Sequence, residues 1–581
     1  MNKAIKKFFC LPLLFMTIFS CGKDTGADIK KPEEGSSDKD EPTVTEQRRS
    51  RIAWDYSTLV KIFQPGNYAR VIEIEDGKLI AVSGNGNTNG TRGTQMATSS
   101  DFGKTWSAAR VIAPNSTGIS MAVPEIMKCR NGNLLLTYNP RPSEPYSAGR
   151  KFGMRARISK DNGQTWSDEI FIYDAQHTNA DGCWEPFTLE LPSGEIQLYF
   201  ANENDYRESN EQNISMCRSF DGGETWSNRE IVSFRSGHRD GMPVVLYLEE
   251  TGETIMAIED NGQPGHPNRM QPSIIRNSDN WQSGFVNGKS KKREYALDTH
   301  LDKVDNAAAP YICKSRTGEI LLSYQGTENR DVPLNGNGVK TTDFSQEMFV
   351  AVGDKEGRGF TNKSTPFRLP LGTPGDKDKG CQGQWNSITS FSNGEIFAVS
   401  STTNVFGIKG GVFGIKGYLL NDVRPETKDV EIDGDTKEWD GIYPSIVVAH
   451  RLDSRLYGHI AKDAGRIYFA FTVTKGDAAE NGFEIQLASS DRKKRLTTRV
   501  PFEGTITENE ENVFIYSRKN DTNNLFFECS LSIAMLKKLG FEKTIPFNVT
   551  LFGKDDNGKA AQECITGSLP DEPETWLRII L

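Results

Sequence analysis

The chain has 581 residues, 36% hydrophobic and 25% charged, which suffices for two or three domains with their own cores and excludes disorder throughout. Its formal net charge is −9, and no basic stripe interleaved with aromatics runs through it, which argues against a nucleic-acid partner. Apart from Cys10 and Cys21, seven cysteines are left, an odd number at wide spacings, and the six histidines hold no H-E-x-x-H pattern, so no disulfide framework, metal site or organic cofactor is indicated.

At the N-terminus Lys3, Lys6 and Lys7 precede the apolar run FFCLPLLFMTIF, a length suited to an export signal and too short for an ordinary transmembrane helix. The following IFSC resembles a bacterial lipobox. That resemblance implies removal of residues 1–20 and lipidation of Cys21, with cleavage alone as the alternative. From Gly22 to about Arg49 the chain is Lys, Asp, Glu, Ser and Gly with almost nothing apolar, so residues 21–50 read as a tether that cannot offset the entropy of ordering. The remainder is expected to sit at the bacterial envelope, on the outer-membrane surface or in the periplasm, touching the membrane only through the lipid.

The box S-x-D-x-G-x-T-W occurs as SSDFGKTW (Ser99–Trp106), SKDNGQTW (Ser159–Trp166) and SFDGGETW (Ser219–Trp226), with a remnant NSDNW at Asn277–Trp281. A second motif, a turn glycine feeding an apolar strand, falls at Gly77, Gly132, Gly194, Gly252, Gly318 and Gly394, each preceded by another β-rich run. Six such units, each long enough for four short strands, predict an all-β, six-bladed propeller over residues 51–424, because radial repetition protects sheet edges. GVFGIKGYLL at Gly411–Leu420 reads as the last strand before the ring closes. The boxes are read as scaffold: the glycine permits the turn, Ser and Asp bond its amides, and Trp packs between neighbouring sheets.

Chemistry in a propeller belongs where the inner strands converge on the central channel. The strands before each turn glycine are expected to enter this zone at Arg70, Glu125, Glu185, Pro243, Pro310 and Asn386. The strands after it leave seven residues past the glycine, at Gly84, Asn139, Ala201, Glu259, Gln325 and Ser401. The acids are Glu125, Glu185 and Glu259. Trp184 stands beside Glu185 as an aromatic platform, and His238, Arg239 and Asp240 lie just before a strand. Glycoside hydrolysis needs two carboxyl groups flanking one bond, about 5–5.5 Å apart if the anomeric configuration is retained and wider if it is inverted. Glu185 and Glu259, in adjacent units, are the candidate pair, while Arg70, Glu125, Trp184, His238, Arg239 and Asp240 are candidate substrate contacts. The bland reading is that the glutamates only solvate a channel mouth.

The boxes resemble those of the sialidase superfamily, the Asp-box or BNR propellers. WEPF (Trp184–Phe187), GMPVV (Gly241–Val245) leading to MAIED, and APYI (Ala309–Ile312) leading to LLSYQG resemble the exo-arabinanases of glycoside hydrolase family 93. The resemblance covers about Arg51 to Leu420 and implies a retaining enzyme releasing short products from the end of α-1,5-arabinan, with Glu185 as acid/base and Glu259 as nucleophile, or the reverse. Sialidases are the alternative. Arg70 resembles the first arginine of their carboxylate-binding triad, but R-I-P has become R-V-I, and the loop SGNGNTNGTRG lacks the expected acidic residue. A glycan-binding lipoprotein without catalysis is a third reading.

Beyond Pro425 the repeat disappears. DVEIDGDTKEWDGI (Asp429–Ile442) resembles the start of family 9 carbohydrate-binding β-sandwiches, and alternating runs such as RIYFAFTV fit that class over residues 425–581. Trp439 is expected to pack in that core, and the sandwich either binds glycan or buttresses the propeller.

Overall fold

The computed structural model describes residues 50–581 apart from 267–268, 337, 339, 343–344, 371–375, 377, 406, 478–481 and 507–513. The export signal, the tether up to residue 49 and Cys21 lie outside the described residues. Among the described residues no helix is long and apolar enough to cross a membrane, and the seven cysteines are all free.

A six-bladed β-propeller is followed by a β-sandwich. Blade one is the antiparallel sheet Asn67–Glu75, Lys78–Thr88, Thr91–Ser99 and Arg110–Pro114. The inner strands of the next five are Ile119–Lys128, Cys183–Glu190, Asp240–Leu248, Ala307–Lys314 and Gln382–Ser390. Each inner strand packs on those of its two neighbours, and the first meets the sixth. Ile408–Leu420 is the third strand of blade six, and the outermost is supplied by Arg51–Phe63 from the beginning of the described chain, paired antiparallel from Arg51 opposite Leu420 to Phe63 opposite Val412. The ring is therefore closed by the two ends of the propeller sequence, which the repeat alone does not reveal.

The three boxes join third to fourth strands and share one bonding scheme. In the first, Gly103 N (2.9 Å) donates to Ser99 Oγ, and Thr105 N (2.9 Å) and Oγ1 (2.6 Å) donate to Asp101. Gly103, with φ +77°, permits the turn. Each box packs backwards onto the preceding blade. Trp106 lies 6.3 Å from Phe397 of blade six, Trp166 packs with Ile80 and Met96 of blade one, and Trp226 with Leu135 of blade two. The remnant box behaves alike: Trp281 lies 6.1 Å from Tyr199 of blade three and donates to its hydroxyl at 2.9 Å. The boxes are thus inter-blade cement. Phe102 N donates to Gly77 O (3.0 Å), which puts the box at the first-turn end of the blade, opposite the end where the inner strand begins.

The sandwich packs one sheet built on Arg455–Lys462, Arg466–Thr474 and Asn524–Ser532 against another built on Gly482–Ala488 and Thr544–Lys554. Its core takes in Ala53, Tyr418 and Leu420 from blade six. Arg51 Nη1 donates to Thr566 O (2.9 Å) and Thr575 O (3.0 Å), and Leu419 N donates to the Tyr443 hydroxyl (2.8 Å). The sandwich therefore braces the strand that closes the ring. Trp439 is buried with its indole N–H on Glu528 (3.1 Å), a core residue as its sequence setting suggests. A cavity of about 770 Å³ lies where blades five and six meet the sandwich, lined by Trp54, Lys363, His450 and Glu563 and by none of the channel residues described next.

Candidate functional site

All six inner strands carry a β-bulge at the same height. One residue at each bulge has positive φ: Tyr68, Val123, Glu185, Met242, Ala309 and Trp385, at +46° to +51°. Such a conformation costs a residue with a Cβ roughly 1–2 kcal/mol, and a bulge re-aims the side chain that it carries. Six repeats of it form a ring of tip residues at the channel mouth. The residue before each tip pairs with the position seven past the turn glycine: Asn67 with Gly84, Ala122 with Asn139, Trp184 with Ala201, Gly241 with Glu259, Ala308 with Gln325 and Gln384 with Ser401.

This register corrects the expected inner-strand alignment. Arg70 and Glu125 lie two residues beyond their blades' tips and are the equivalents of Phe187, not of Glu185. Their side chains are almost wholly buried as an ion pair, Arg70 Nε to Glu125 Oε2 at 3.0 Å, and Arg70 also donates to the carbonyls of Ala69 and Asn386. The pair lies two residues below the tips, with Arg70 Nε and Nη1 taken up by these bonds. The tip is nine residues before the turn glycine in five units and ten in the fourth, and a proline follows it in blades two to five. That uniform count, with the X-Pro pair, was the signal that identifies the ring.

Glu185 and Glu259 come from adjacent blades three and four at this height, and both are half-buried. Burial pushes the Glu185 carboxyl up to about 7, Arg141 opposes the rise, and the Glu259 charge adds to it. The Glu259 carboxyl is also raised by burial, against the Ala309 amide and the Arg239 charge. Arg141, at the end of the second strand of blade two, reaches Glu185 Oε1 at 3.3 Å and is held by Asn139 Oδ1 at 2.6 Å. Glu259 Oε2 accepts from the tip amide Ala309 N of blade five (3.0 Å). Gly241 leaves it room, since a Cβ there would come 2.9 Å from Glu259 Oε1.

The Glu259 bond repeats around the ring with neutral side chains. Gln325 Oε1 accepts from Trp385 N (2.6 Å), and Ser401 Oγ accepts from Tyr68 N (2.8 Å). A neutral acceptor therefore suffices to tie one blade's second strand to the next blade's bulge. A carboxylate in this place adds a desolvation cost that the fold does not need, which marks blade four as different.

Around the pair, Trp184 Nε1 donates to Glu203 Oε1 (2.7 Å), and Glu203 forms a forked pair with Arg239 (2.8 and 3.2 Å). Arg239 also donates to Gln212 (2.5 Å). The ring of Trp184 is not open as a platform, because the Arg141 guanidinium lies 4.8 Å over it and Phe152 packs 5.0 Å away. Asp240, expected to contact substrate, is instead fully buried between Arg293 (2.6 and 2.8 Å) and Ser233 (2.5 Å). His238 is half-buried, its backbone bonded to Arg235 and Gln212. Of the expected residues the structure thus gathers Glu185, Glu259, Trp184 and Arg239, and it adds Arg141, Glu203, Gln212, Tyr68 and Trp385. Among the described residues no group of three or more His, Cys, Asp or Glu side chains is placed to hold a metal.

A BNR repeat-like domain model matches residues 64–239. The matched stretch spans the first three blades, where the complete boxes lie. No curated protein matches the chain. Among solved structures, the chain is similar to the GH93 alpha-L-arabinofuranosidase of Fusarium graminearum in complex with arabinobiose, at 18% identity and a TM-score of 0.45 over 62% of this chain and 96% of that one. A protein of unknown function from Dyadobacter fermentans is 15% identical, with a TM-score of 0.44 over 64% of this chain and 99% of that one. A family 9 carbohydrate-binding module from Caldicellulosiruptor kristjanssonii in complex with cellotriose is 15% identical, with a TM-score of 0.21 over 27% of this chain and 92% of that one.

Proposed function

We propose that the propeller is an exo-acting, retaining glycoside hydrolase for arabinan-type or related polysaccharide. The observation that carries this reading is the acid at position 259, in a place where Gln325 and Ser401 do the structural work uncharged, beside a second raised carboxyl at Glu185. In the proposed cycle, protonated Glu185 gives its proton to the glycosidic oxygen while Glu259 attacks the anomeric carbon and the C–O bond breaks. Water, deprotonated by the now ionised Glu185, then displaces Glu259 and restores both groups. Glu259 suits the nucleophile because the Ala309 amide bonds its ionised form, and Glu185 suits the acid because its carboxyl is held near neutrality.

The arabinan preference rests on the resemblance of the WEPF, GMPVV and APYI segments to family 93. The sialidase reading has less support, since R-I-P has become R-V-I at Arg70 and the loop SGNGNTNGTRG lacks the expected acidic residue. Anchorage at the envelope through lipidated Cys21 belongs to the same proposal, and radiolabelled palmitate incorporation that is lost on Cys21→Ala checks it.

The test is chromatography of products from linear α-1,5-arabinan, with sialyl-lactose in parallel and proton NMR of the first-formed anomer. One short arabino-oligosaccharide accumulating from the start, with its configuration retained, is the expected result. Free sialic acid, or inversion, overturns the assignment. Turnover lost and glycan binding kept in Glu185→Gln separates the enzyme from a binding protein, which would show no turnover to lose.

A further inference from the structure

Trp385 is the tip residue of blade six, the equivalent of Glu185 in blade three. It carries one of the largest side chains at a backbone angle that disfavours any side chain, φ +48°, yet 37% of it is exposed. The buried tips Tyr68, Val123 and Ala309 recover the conformational cost by packing. Trp385 does so least, and strain held without a packing return points to a role at the surface it faces. Its bulge is fixed from beneath: Trp385 N donates to Gln325 Oε1 (2.6 Å), Gln325 Nε2 donates to Gln346 Oε1 (3.2 Å), and Gln384 Nε2 donates to the same oxygen (2.8 Å). The indole is thus presented on a rigid base at the mouth.

Blade six stands three places round the ring from blade three, which carries Glu185, and two from blade four, which carries Glu259, so the Trp385 tip lies across the channel from the acid pair. The tips do converge: the Tyr68 phenol of blade one is raised first by burial, and the charge of Glu185, two blades away, acts on it too. An exposed aromatic face takes the C–H face of a sugar ring.

We propose that Trp385 is the stacking platform for a sugar unit of the substrate remote from the cleaved bond, so that a bound oligosaccharide spans the mouth from Glu185 and Glu259 to the indole. This rests on the glycoside hydrolase reading above. It gives the site a length requirement: units too short to reach blade six lose the contact.

The experiment is calorimetric titration of 1,5-α-L-arabino-oligosaccharides of two to six units into the full chain carrying Glu185→Gln, alone and combined with Trp385→Phe or Trp385→Asn. Asparagine tolerates positive φ better than most residues, so the Asn variant should melt no lower than its parent while removing the platform. Expected are affinity within about threefold for Phe, and for Asn a loss of about tenfold confined to the longer oligosaccharides. Lower stability together with uniformly weaker binding at every length, or unchanged affinity in the Asn variant, overturns the assignment of Trp385 and leaves the enzyme reading standing. If the unsubstituted chain cleaves no arabinan and its Glu185→Gln form binds none of these oligosaccharides, the enzyme reading falls and this inference with it.

Discussion

Replacing Glu185 by Gln should do two opposite things at once, lowering activity and raising stability in alkaline solution. A carboxyl whose folded value has moved from 4.5 to about 7 carries an ionisation penalty of about 3 kcal/mol in the native state once the pH is well above 7. Below 4.5 the group is protonated in folded and unfolded chains alike, and the penalty is absent. The native state of the parent therefore loses stability as the pH rises through this window, whereas the glutamine variant does not. Losing the charge partner of Arg141 offsets part of the gain, so the variant should be more stable at pH 8.5 by about 1–3 kcal/mol and equal to the parent near pH 4. Calorimetric Tm from pH 4 to 9 reads this as a difference of a few degrees that opens with pH. In the same variant kcat should fall by about 10²–10⁴-fold as the general acid is removed, and in the parent kcat/KM should decline above about pH 7. A Tm difference that does not change with pH, or a variant that melts lower at pH 8.5, would refute the placement of a desolvated carboxyl here.

Four further expectations test other parts of the structure. Glu259→Gln should fold with an unchanged Tm at pH 5, because Gln325 already makes the same bond to a tip amide, while turnover of arabinan disappears. Gly241→Ala, which puts a methyl 2.9 Å from Glu259 Oε1 and 2.8 Å from Gln212 Nε2, should lower kcat by about tenfold or more with near-normal circular dichroism. Since Arg141 holds the Glu185 value down, Arg141→Gln should move the alkaline limb of kcat/KM to higher pH, and a shift the other way would contradict the assignment. Asp240→Asn unbalances the buried Arg293 cluster and should destabilise the propeller by about 3–5 kcal/mol, measured by denaturant unfolding.

The repeat was legible because it is local chemistry. Ser99, Asp101, Gly103 and Trp106 build their turn within eight residues, and six turn glycines at regular spacing count six blades without any knowledge of what packs on what. The second-strand positions were legible as well, because nothing interrupts the chain between the turn glycine and Glu259. The inner strand was harder to read. Counted back from the turn glycine, Arg70 and Glu125 stand at seven and Glu185 at nine, so treating the three as equivalents misses a two-residue offset, and the first two end in a buried pair. Trp385 and Arg141 carry no motif of their own.

By itself, then, the sequence determined the number of blades, the separate sandwich and the two glutamates worth testing, since these follow from short-range turn geometry and residue type. Only the tertiary structure decided which side chains share the mouth: which acid is spent on Arg70, which tip keeps an open indole, and that Arg51–Phe63 closes the ring under the sandwich. Those outcomes depend on how six bulged strands from distant parts of the chain meet around one axis, and neither burial nor electrostatic coupling between such strands is written in any single segment.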